Sequence, residues 1–358
     1  MIITRFFFYI LSAVFIFACA QEKSKPQNII ILIGDGMGTS QVSASVLSMD
    51  NDAFRKFPVT GFSVTCSKNE LITESGAGAT AIATGYRTNN RYLSLDPVTN
   101  KPITTIFEIA EKMGKSTGVV VTSSVTDATP AAFLSHIDER KKENEIAQQF
   151  SKTDVDVVIG GGLKFFRGRE DKINLTDTLK KRGYNFFPAF KDLSSDKSGK
   201  NFYALFDSVG LPHADKRNYS LSQLTKIALE NVKKNKKGFV LMVEGSQIDW
   251  AGHANDQQYL LSELKDFDGA INTALEFAEK DGNTLVVVTA DHETGGMSIV
   301  SGNRNGSDLK LAFTVGDHTA AMVGVFAKGP GQELFTGIND NYMIGRKLIK
   351  LVNPSVNF

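Results

Sequence analysis

Apolar residues along the chain follow two patterns that alternate with each other. Continuous apolar runs occur at 29–33, 118–121, 155–159, 239–243, 285–288 and 322–326. Such runs are typical of strands in a sheet that is covered on both faces. Between them, apolar residues recur every three or four positions, most clearly over residues 256–280, as in an amphipathic helix. The alternation predicts an α/β fold for residues 28–358, with a single three-layer αβα domain around a large, mostly parallel central sheet.

The first part of the chain has the pattern of an export signal. Arg5 precedes an apolar run over residues 6–20, which is too short to cross a bilayer core of about 30 Å as a helix. The run ends in Ile-Phe-Ala-Cys19, which resembles the lipobox of bacterial lipoproteins. We therefore predict a lipoprotein-type signal peptide over residues 1–19, a lipid on Cys19 that anchors the protein to a membrane, and a short tether over residues 20–27. The protein would then be exported to the periplasm or cell envelope. A plain cleaved signal with an incidental cysteine, or a buried first strand, is the alternative.

Composition removes several classes of function. The chain has 40 Lys+Arg against 39 Asp+Glu, a net charge of +1, so it lacks the basic character of a dedicated nucleic-acid binder. Two cysteines and five histidines are too few for zinc-finger or iron–sulfur sites. A metal site must therefore use mainly carboxylates and a few imidazoles. With Cys19 lipidated, Cys66 has no partner, and we expect it to pack as a small apolar residue.

Acidic residues and histidines collect where the predicted strands end. In open α/β sheets, ligands bind at the carboxyl ends of the strands. The residues at or just beyond these ends, or just ahead of the last strand, are Asp35, Glu244, Asp249, His253, Asp291, His292 and His318. Each alone fits a turn, a cap or a solvated helix face. Because polar groups at apolar strand ends are costly to bury, the set together favours a metal site.

Ser75 is the candidate nucleophile. It lies in Thr-Glu-Ser-Gly-Ala-Gly, just before a predicted helix over residues 79–84. A serine in the first turn of a helix is close to free N–H groups that bind anions, and Gly76 and Gly78 would leave room for a tetrahedral ligand. The alternative is that Ser75 only caps the helix. A neighbouring divalent metal would lower the pKa of its hydroxyl, as it does for bound water. A Gly-x-Ser-x-Gly elbow is absent here, which disfavours a Ser-His-Asp hydrolase.

Asp127 and Thr129 lie beyond another predicted strand end, ahead of Pro130 in the first turn of a predicted helix. Arg140 is expected about three turns along the same helix, with its side chain leaning back towards the helix N-terminus. A planar guanidinium can bind two phosphate oxygens at once. The alternative for Arg140 is an exposed helix charge beside Glu139.

Taken in order, these residues resemble the metal-dependent alkaline phosphatases over nearly the whole mature chain. The resemblance implies hydrolysis of small-molecule phosphate monoesters, with Ser75 transiently phosphorylated and Arg140 binding the phosphate. It also implies two zinc ions and one magnesium ion. The implied ligands are Asp249, His253 and His318 for the first zinc, Asp291 and His292 for the second, Asp35 between the second zinc and magnesium, and Asp127, Thr129 and Glu244 for magnesium.

Two positions depart from the family pattern, two alternative functions stay open, and so does the oligomeric state. Glu74 stands where the family usually has Asp, and Trp250 stands where other members have Lys or His. A phosphodiesterase or another superfamily hydrolase is one alternative, although a sulfatase needs Cys/Ser-x-Pro-x-Arg and Ser75 is followed by Gly-Ala-Gly. A non-catalytic phosphate-binding lipoprotein is a second alternative, from a different class. Whether the chain forms a homodimer is also open.

Overall fold

The computed structural model describes residues 25–50, 52–196 and 198–358. The predicted signal peptide and Cys19 lie outside the described residues. Within the described ranges, no helix is both long enough and apolar enough to span a membrane.

Fourteen strands are present in the described part of the chain. They are β1 (Asn28–Gly34), β2 (Val59–Val64), β3 (Ser116–Ser124), β4 (Val157–Gly161), β5 (Asn185–Phe187), β6 (Phe202–Leu205), β7 (Phe239–Gly245), β8 (Thr284–Thr289), β9 (Glu293–Thr294), β10 (Ser298–Ser301), β11 (Lys310–Ala312), β12 (His318–Thr319), β13 (Val323–Lys328) and β14 (Gly337–Asp340).

The described residues also form twelve α-helices. They are α1 (Thr39–Ser48), α2 (Ser75–Thr84), α3 (Ile106–Lys112), α4 (Ala128–Leu134), α5 (Glu143–Phe150), α6 (Leu163–Phe166), α7 (Leu175–Lys181), α8 (Phe190–Ser195), α9 (Leu221–Val232), α10 (Gln247–His253), α11 (Gln257–Asp281) and α12 (Asn341–Val352).

Ten strands form the central sheet, in the order β14-β2-β13-β8-β1-β7-β3-β4-β6-β5. Neighbours are parallel, except that β13 runs antiparallel to both β8 and β2. Strand β1 lies between β7 and β8, so the carboxyl ends of these three strands meet at one edge of the sheet. Two small antiparallel pairs, β10 with β11 and β9 with β12, lie outside the main sheet.

Apolar side chains fill both faces of the sheet. Along β1, Ile29, Ile31 and Ile33 pack into one core, while Ile30 and Leu32 pack into the other. The first core includes residues of α2, α3, α4, α5 and α12, and the second includes residues of α1, α9, α10 and α11. Because both faces are covered, the strands are buried and apolar throughout rather than alternating. The predicted α/β fold with a large, mostly parallel sheet is confirmed.

Most of the predicted strands and helices are confirmed, with small shifts at their ends. The run predicted at 155–159 forms a strand from Val157, and the run at 322–326 forms a strand from Val323. Helix α11 follows the predicted period closely: Asp256 caps it by accepting hydrogen bonds from two backbone N–H groups, and Gly282 ends it with a φ of 75°. An aspartate cap and a left-handed glycine are common signals for the two ends of a helix.

Candidate active site

The sheet topology brings the predicted site residues to one edge. Asp35 directly follows β1, Glu244 is the penultimate residue of β7, and Asp291 lies two residues after the end of β8. In the register, Ile33 of β1 is opposite Glu244 on one side and Thr289 on the other. Since parallel strands present their carboxyl ends to the same side, these three carboxylates face each other.

Ser75 is the first residue of α2, which starts four residues earlier than predicted. The side chain of Glu74 caps this helix by accepting hydrogen bonds from the N–H groups of Gly76 at 3.0 Å and Ala77 at 2.8 Å. The alternative in which Ser75 serves only as the cap is therefore wrong, and its hydroxyl is available for other contacts. Ser75 is 3% exposed, and its Oγ lies 3.3 Å from Nε2 of His292.

The two glycines after Ser75 are needed for packing against protein. A Cβ on Gly78 would lie 2.9 Å from the backbone oxygen of Asp291, and one on Gly76 would lie 2.8 Å from Glu74. Their small size therefore lets α2 approach the Asp291 segment and lets Glu74 fold back over its own helix. That these glycines also leave room for a tetrahedral ligand stays a prediction.

Arg140 reaches the site by a different route from the one predicted. Helix α4 ends at Leu134, so Arg140 does not lie three turns along it, and that prediction is wrong. The chain leaves the helix because the following segment pairs with a neighbouring loop: the backbones of Ile137 and Leu93 exchange two hydrogen bonds. The N–H of Arg140 then donates to the carbonyl of Arg91 at 2.9 Å.

The guanidinium of Arg140 is held between two carboxylates. Nη1 donates to Oε2 of Glu74, and Nη2 donates to Oδ1 of Asp127 at 3.0 Å. Glu74 also accepts the N–H of Arg91 at 2.8 Å. Burial alone would raise the pKa of Glu74, but Arg140 and these backbone N–H groups hold it below its ordinary value. Glu74 thus connects the first turn of the Ser75 helix to the arginine.

Asp249, His253 and His318 form the first cluster of metal-binding side chains. Helix α10 places Asp249 and His253 on one face, with Nε2 of His253 at 3.3 Å from a carboxylate oxygen of Asp249. Nε2 of His318 lies 3.5 Å from the other oxygen of Asp249 and 3.1 Å from Nε2 of His253. The ligand atoms of these three side chains all lie within 4.8 Å of one another, which is close enough for them to bind one ion.

Backbone carbonyls fix which nitrogen of each histidine faces the cluster. Nδ1 of His253 lies 2.9 Å from the carbonyl of Gly316, and Nδ1 of His318 lies 3.0 Å from the carbonyl of Thr73. A carbonyl only accepts, so each Nδ1 carries the proton and donates it. In the neutral rings each Nε2 then has a free lone pair directed at its neighbours, which is the state that binds a metal.

Asp35, Asp249 and His292 form a second cluster that shares Asp249 with the first. Nε2 of His292 lies 3.3 Å from Oδ1 of Asp35 and 3.4 Å from Oδ2 of Asp291. Thr294 orients this group, because its hydroxyl donates to Asp249 and lies 3.2 Å from Nδ1 of His292. We did not predict Thr294 from the sequence, although its place two residues after His292 at a strand end was a signal.

Thr129 and Glu244 lie on the other side of Asp35. The hydroxyl of Thr129 donates to Oδ2 of Asp35 at 3.4 Å and also interacts with Glu244. Asp127 is the N-cap of α4 and adds to the negative potential at Glu244, but its Oδ1 is bound to Arg140 and to its own helix. The structure therefore brings all the predicted site residues together, with Asp127 turned towards the arginine.

The carboxylates at this edge have raised pKa values because they are buried and face each other. Burial raises the pKa of Asp35 well above its ordinary value, and the charges of Asp291 and Asp249 raise it further. Burial, followed by the charge of Asp127, raises the pKa of Glu244 in the same way. For Asp291, burial and the charge of Asp249 raise the pKa to about 7.

The pKa values of the histidines are shifted in opposite directions by their different surroundings. Burial, with the charge of His318, lowers the pKa of His292 to about 3, so this ring is neutral at neutral pH. A hydrogen bond to Asp249 raises the pKa of the more exposed His253 to about 9. Burial would raise the pKa of Asp249, but hydrogen bonds from His253 and His318 hold it well below its ordinary value.

These observations fit a site that binds divalent cations. Among the described residues, Oδ1 of Asp35, Oε2 of Glu244 and Oδ2 of Asp291 are buried and have no hydrogen-bond donor. A buried oxygen without a donor is costly, and so is a cluster of carboxylates without a counter-charge. Cations between the carboxylates and the neutral imidazoles would remove both costs. The donor set of carboxylate oxygens, imidazole nitrogens and a hydroxyl suits zinc and magnesium.

Comparison with known proteins assigns the chain that carries this site to a family. The family model for alkaline phosphatase matches residues 26–309. The chain belongs to the alkaline phosphatase family. The alkaline phosphatase resemblance read from the motifs is therefore confirmed.

Relatives and solved structures agree with this assignment. The chain is 40% identical over 305 residues to alkaline phosphatase 4 of Bacillus subtilis, a match that covers 80% of this chain but only 65% of that relative. It is 31% identical over 393 residues to the alkaline phosphatase of Escherichia coli, covering 88% of this chain and 83% of the relative. The structure of alkaline phosphatase from the Antarctic bacterium TAB5 superposes with a TM-score of 0.86 at 38% identity, covering 92% of this chain and 99% of that one.

Trp250 and Cys66 of this alkaline phosphatase family member lie outside the two metal clusters. Trp250, which departs from the family pattern, directs its ring at Gly210, where a Cβ would lie only 2.5 Å from the indole. It therefore packs against the loop after β6. Cys66 is half-buried and forms no disulfide within the described part of the chain.

Proposed function

We propose that the protein hydrolyses phosphate monoesters to an alcohol and inorganic phosphate through a covalent phosphoserine at Ser75. The observation that carries the proposal is the placement of the Ser75 hydroxyl. It lies at the N-terminus of a helix, 3.3 Å from a histidine of a cation-binding cluster. The chain covers less than two thirds of the Bacillus subtilis relatives, so the assignment of activity rests on this geometry and on the family together.

We assign two zinc ions and one magnesium ion to the site. Asp249, His253 and His318 would bind the first zinc, and Asp291 with His292 would bind the second. Asp35 would lie between the second zinc and the magnesium, whose other ligands would be Asp127, Thr129 and Glu244. The first compact cluster supports the first zinc assignment. His292 and Asp35 of the second cluster, with the unpaired oxygen of Asp291 at 3.4 Å from Nε2 of His292, support the second, and the unpaired oxygen of Glu244 supports the third site. A structure of a TAB5 alkaline phosphatase variant carries Mg in its M3 site, which agrees with a third position for magnesium.

The protein's own residues then carry the reaction as two in-line displacements. Arg140 binds two oxygens of the phosphate and holds the phosphorus in front of Ser75. The Oγ of Ser75 attacks, the Oγ–P bond forms, and the ester P–O bond breaks as the alcohol leaves. A water molecule then attacks the phosphoserine from the vacated side, which releases phosphate and restores the Ser75 hydroxyl. Divalent metals, when bound, would lower the pKa of that hydroxyl and stabilise the charge on the departing oxygen.

The proposal is tested with the purified protein supplied with zinc and magnesium. We expect turnover of p-nitrophenyl phosphate with release of inorganic phosphate, and much slower turnover of bis-p-nitrophenyl phosphate. A phosphate monoester carries two negative charges that can interact with Arg140 and the cation site, whereas a diester carries only one. Faster turnover of the diester would identify a phosphodiesterase. Phosphate binding without turnover of either compound would identify a binding protein.

Glu74→Gln is expected to weaken phosphate binding about tenfold, because an amide cannot retain both the ion pair with Arg140 and the three backbone N–H bonds. KM for the monoester and the inhibition constant of inorganic phosphate should both rise. Glu74→Asp keeps the negative charge, so its KM and its phosphate inhibition constant should stay close to those of the parent. The matched control is Glu139→Gln, which removes the exposed ion pair with Arg91. An unchanged phosphate inhibition constant in Glu74→Gln would show that Arg140 does not depend on Glu74.

We also propose that residues 28–358 form the catalytic domain and that the protein is exported and lipid-anchored at Cys19. The apolar run and the Ile-Phe-Ala-Cys19 sequence support export and anchoring. Mass spectrometry of the mature N-terminus tests this. A lipid-modified Cys19 as the first residue supports the anchor, and a mature chain that starts after Cys19 contradicts it.

A further inference from the structure

Glu293 is a buried carboxylate next to the site that the reaction described above does not use. It is 3% exposed and lies in β9, directly after His292. Its two oxygens accept four hydrogen bonds, which is close to all that a carboxylate can accept. Oε1 accepts Nε2 of Gln41 at 2.9 Å and the N–H of Met297 at 3.1 Å. Oε2 accepts the N–H of Gly296 at 3.2 Å and the hydroxyl of Thr319.

These donors come from three separate segments around the metal clusters. Gln41 lies in the first turn of α1, just after the loop that carries Asp35, and it also donates to the carbonyl of Thr294 at 2.8 Å. The backbone of Gly38 lies so close to the side chain of Glu293 that a Cβ on Gly38 would be 2.2 Å from Cγ of Glu293. Glu293 therefore joins the Asp35 loop to the segment after β8.

The Thr319 hydrogen bond matters most, because Thr319 adjoins a metal-binding residue. Strand β12 consists only of His318 and Thr319, paired with Thr294 and Glu293 of β9. Such a short pair of strands has little stability of its own. The residues on both sides of β12 are exposed, including Gly316 and Ala320. The buried carboxylate is thus one anchor of the segment that carries His318, beside the carbonyl of Thr73 at 3.0 Å from Nδ1 of His318 and the backbone bond from Gly295 to Asp317.

We propose that Glu293 is a positioning residue for the zinc site of Asp249, His253 and His318, acting through its hydrogen bond to Thr319. This inference rests on the proposed function, since it assumes that zinc binds there. Without this anchor, the backbone of His318 would be held less tightly, and its Nε2 would keep its place 3.5 Å from Asp249 and 3.1 Å from His253 for a smaller fraction of the time. Loss of a hydrogen bond made directly by a metal ligand lowers metal affinity about 10- to 100-fold. Because Glu293 acts through Thr319, the neighbour of the ligand, we expect the lower end of that range.

The test measures zinc affinity by competition with a chromogenic chelator, so it does not depend on turnover. Glu293→Gln keeps the shape but replaces one accepting oxygen with a donor. Thr319→Val removes only the hydroxyl, and Thr319→Ser retains it. Because Thr319 is half-buried on a small strand, its variants should fold even where Glu293→Gln does not. Asp268→Asn is the matched control: Asp268 is a buried carboxylate that accepts the N–H of Ala53 at 2.7 Å and an amide of Asn272 at 2.8 Å.

We expect Glu293→Gln and Thr319→Val to weaken one of the two zinc equivalents at least tenfold. Thr319→Ser and Asp268→Asn should bind zinc like the parent, even if Asp268→Asn has a lower unfolding temperature. Zinc affinities within twofold of the parent in Thr319→Val would overturn the inference. Equal weakening in Asp268→Asn would do so too, because it would show a general loss of stability.

The two proposals fail in different ways. A parent that binds two zinc ions but does not hydrolyse monoesters contradicts the proposed function and leaves the Glu293 measurement valid. A parent that binds no zinc contradicts both.

Discussion

Replacing Ser75 with alanine should reduce turnover of p-nitrophenyl phosphate by roughly 10⁴-fold or more, the scale seen when a covalent nucleophile is removed. The substitution removes one buried oxygen at the first position of a helix, where alanine is well tolerated. The substitution leaves every carboxylate and imidazole of the two metal clusters in place, so the variant should fold and retain its metals. The loss should therefore appear in kcat, with little change in zinc and magnesium content.

Two further measurements make the Ser75→Ala result specific. Quenching the parent with acid during turnover should trap phosphate on the peptide that contains Ser75, and the variant should trap none. Ser45→Ala is the matched control, because Ser45 is a fully buried helical serine whose hydroxyl donates a weak hydrogen bond to Sδ of Met49 at 3.9 Å. Near-normal turnover in metal-loaded Ser75→Ala would mean that water attacks the phosphate directly, and the covalent route would be wrong.

Removing the metals should bring activity down to background. Exhaustive chelation leaves the carboxylates of Asp35, Glu244 and Asp291 facing each other without a counter-charge. The metal-free protein should therefore also unfold at a lower temperature. Binding at a ligand concentration a thousand times the dissociation constant stabilises a folded protein by about 4 kcal/mol, so the shift should be large.

Adding metals back shows which ions are needed. Zinc alone should restore part of the activity, because it completes the two clusters that share Asp249. Zinc with magnesium should restore all of it, since the Thr129 and Glu244 side of Asp35 is then filled. Magnesium alone should restore little. Activity that is indifferent to chelation would contradict the metal-dependent mechanism, whatever the outcome of the Ser75 experiment.

The sequence predicted the central features of the fold because they depend on short-range patterns. Continuous apolar runs identify strands that are buried on both faces, and the period of α11 is unbroken from its aspartate cap to its terminal glycine. The carboxyl-end rule then places Asp35, Glu244 and Asp291 together, since β1 lies between β7 and β8.

What could not be predicted depends on contacts between distant segments. The path of Arg140 is set by backbone pairing between Ile137 and Leu93, and no local signal ends α4 at Leu134. Likewise, Glu74 looks like an ordinary residue before a helix, yet it is both the cap of α2 and the partner of Arg140. The tight approach at Gly78 is visible only once α2 is packed against the Asp291 segment.

The distribution of the site over the chain also governs when it can form. The side chains that meet at the sheet edge run from position 35 to position 318, and apart from local pairs such as Asp249 with His253 they come from elements that are joined by long stretches of chain. Closing such long loops costs entropy that only the assembled sheet repays. A chain that ends before His318 therefore lacks part of the first cluster and retains only Asp249 and His253 of it, so we expect it to bind zinc more weakly than the complete site. The proposed ion sites are expected to be complete only when all of these elements have assembled.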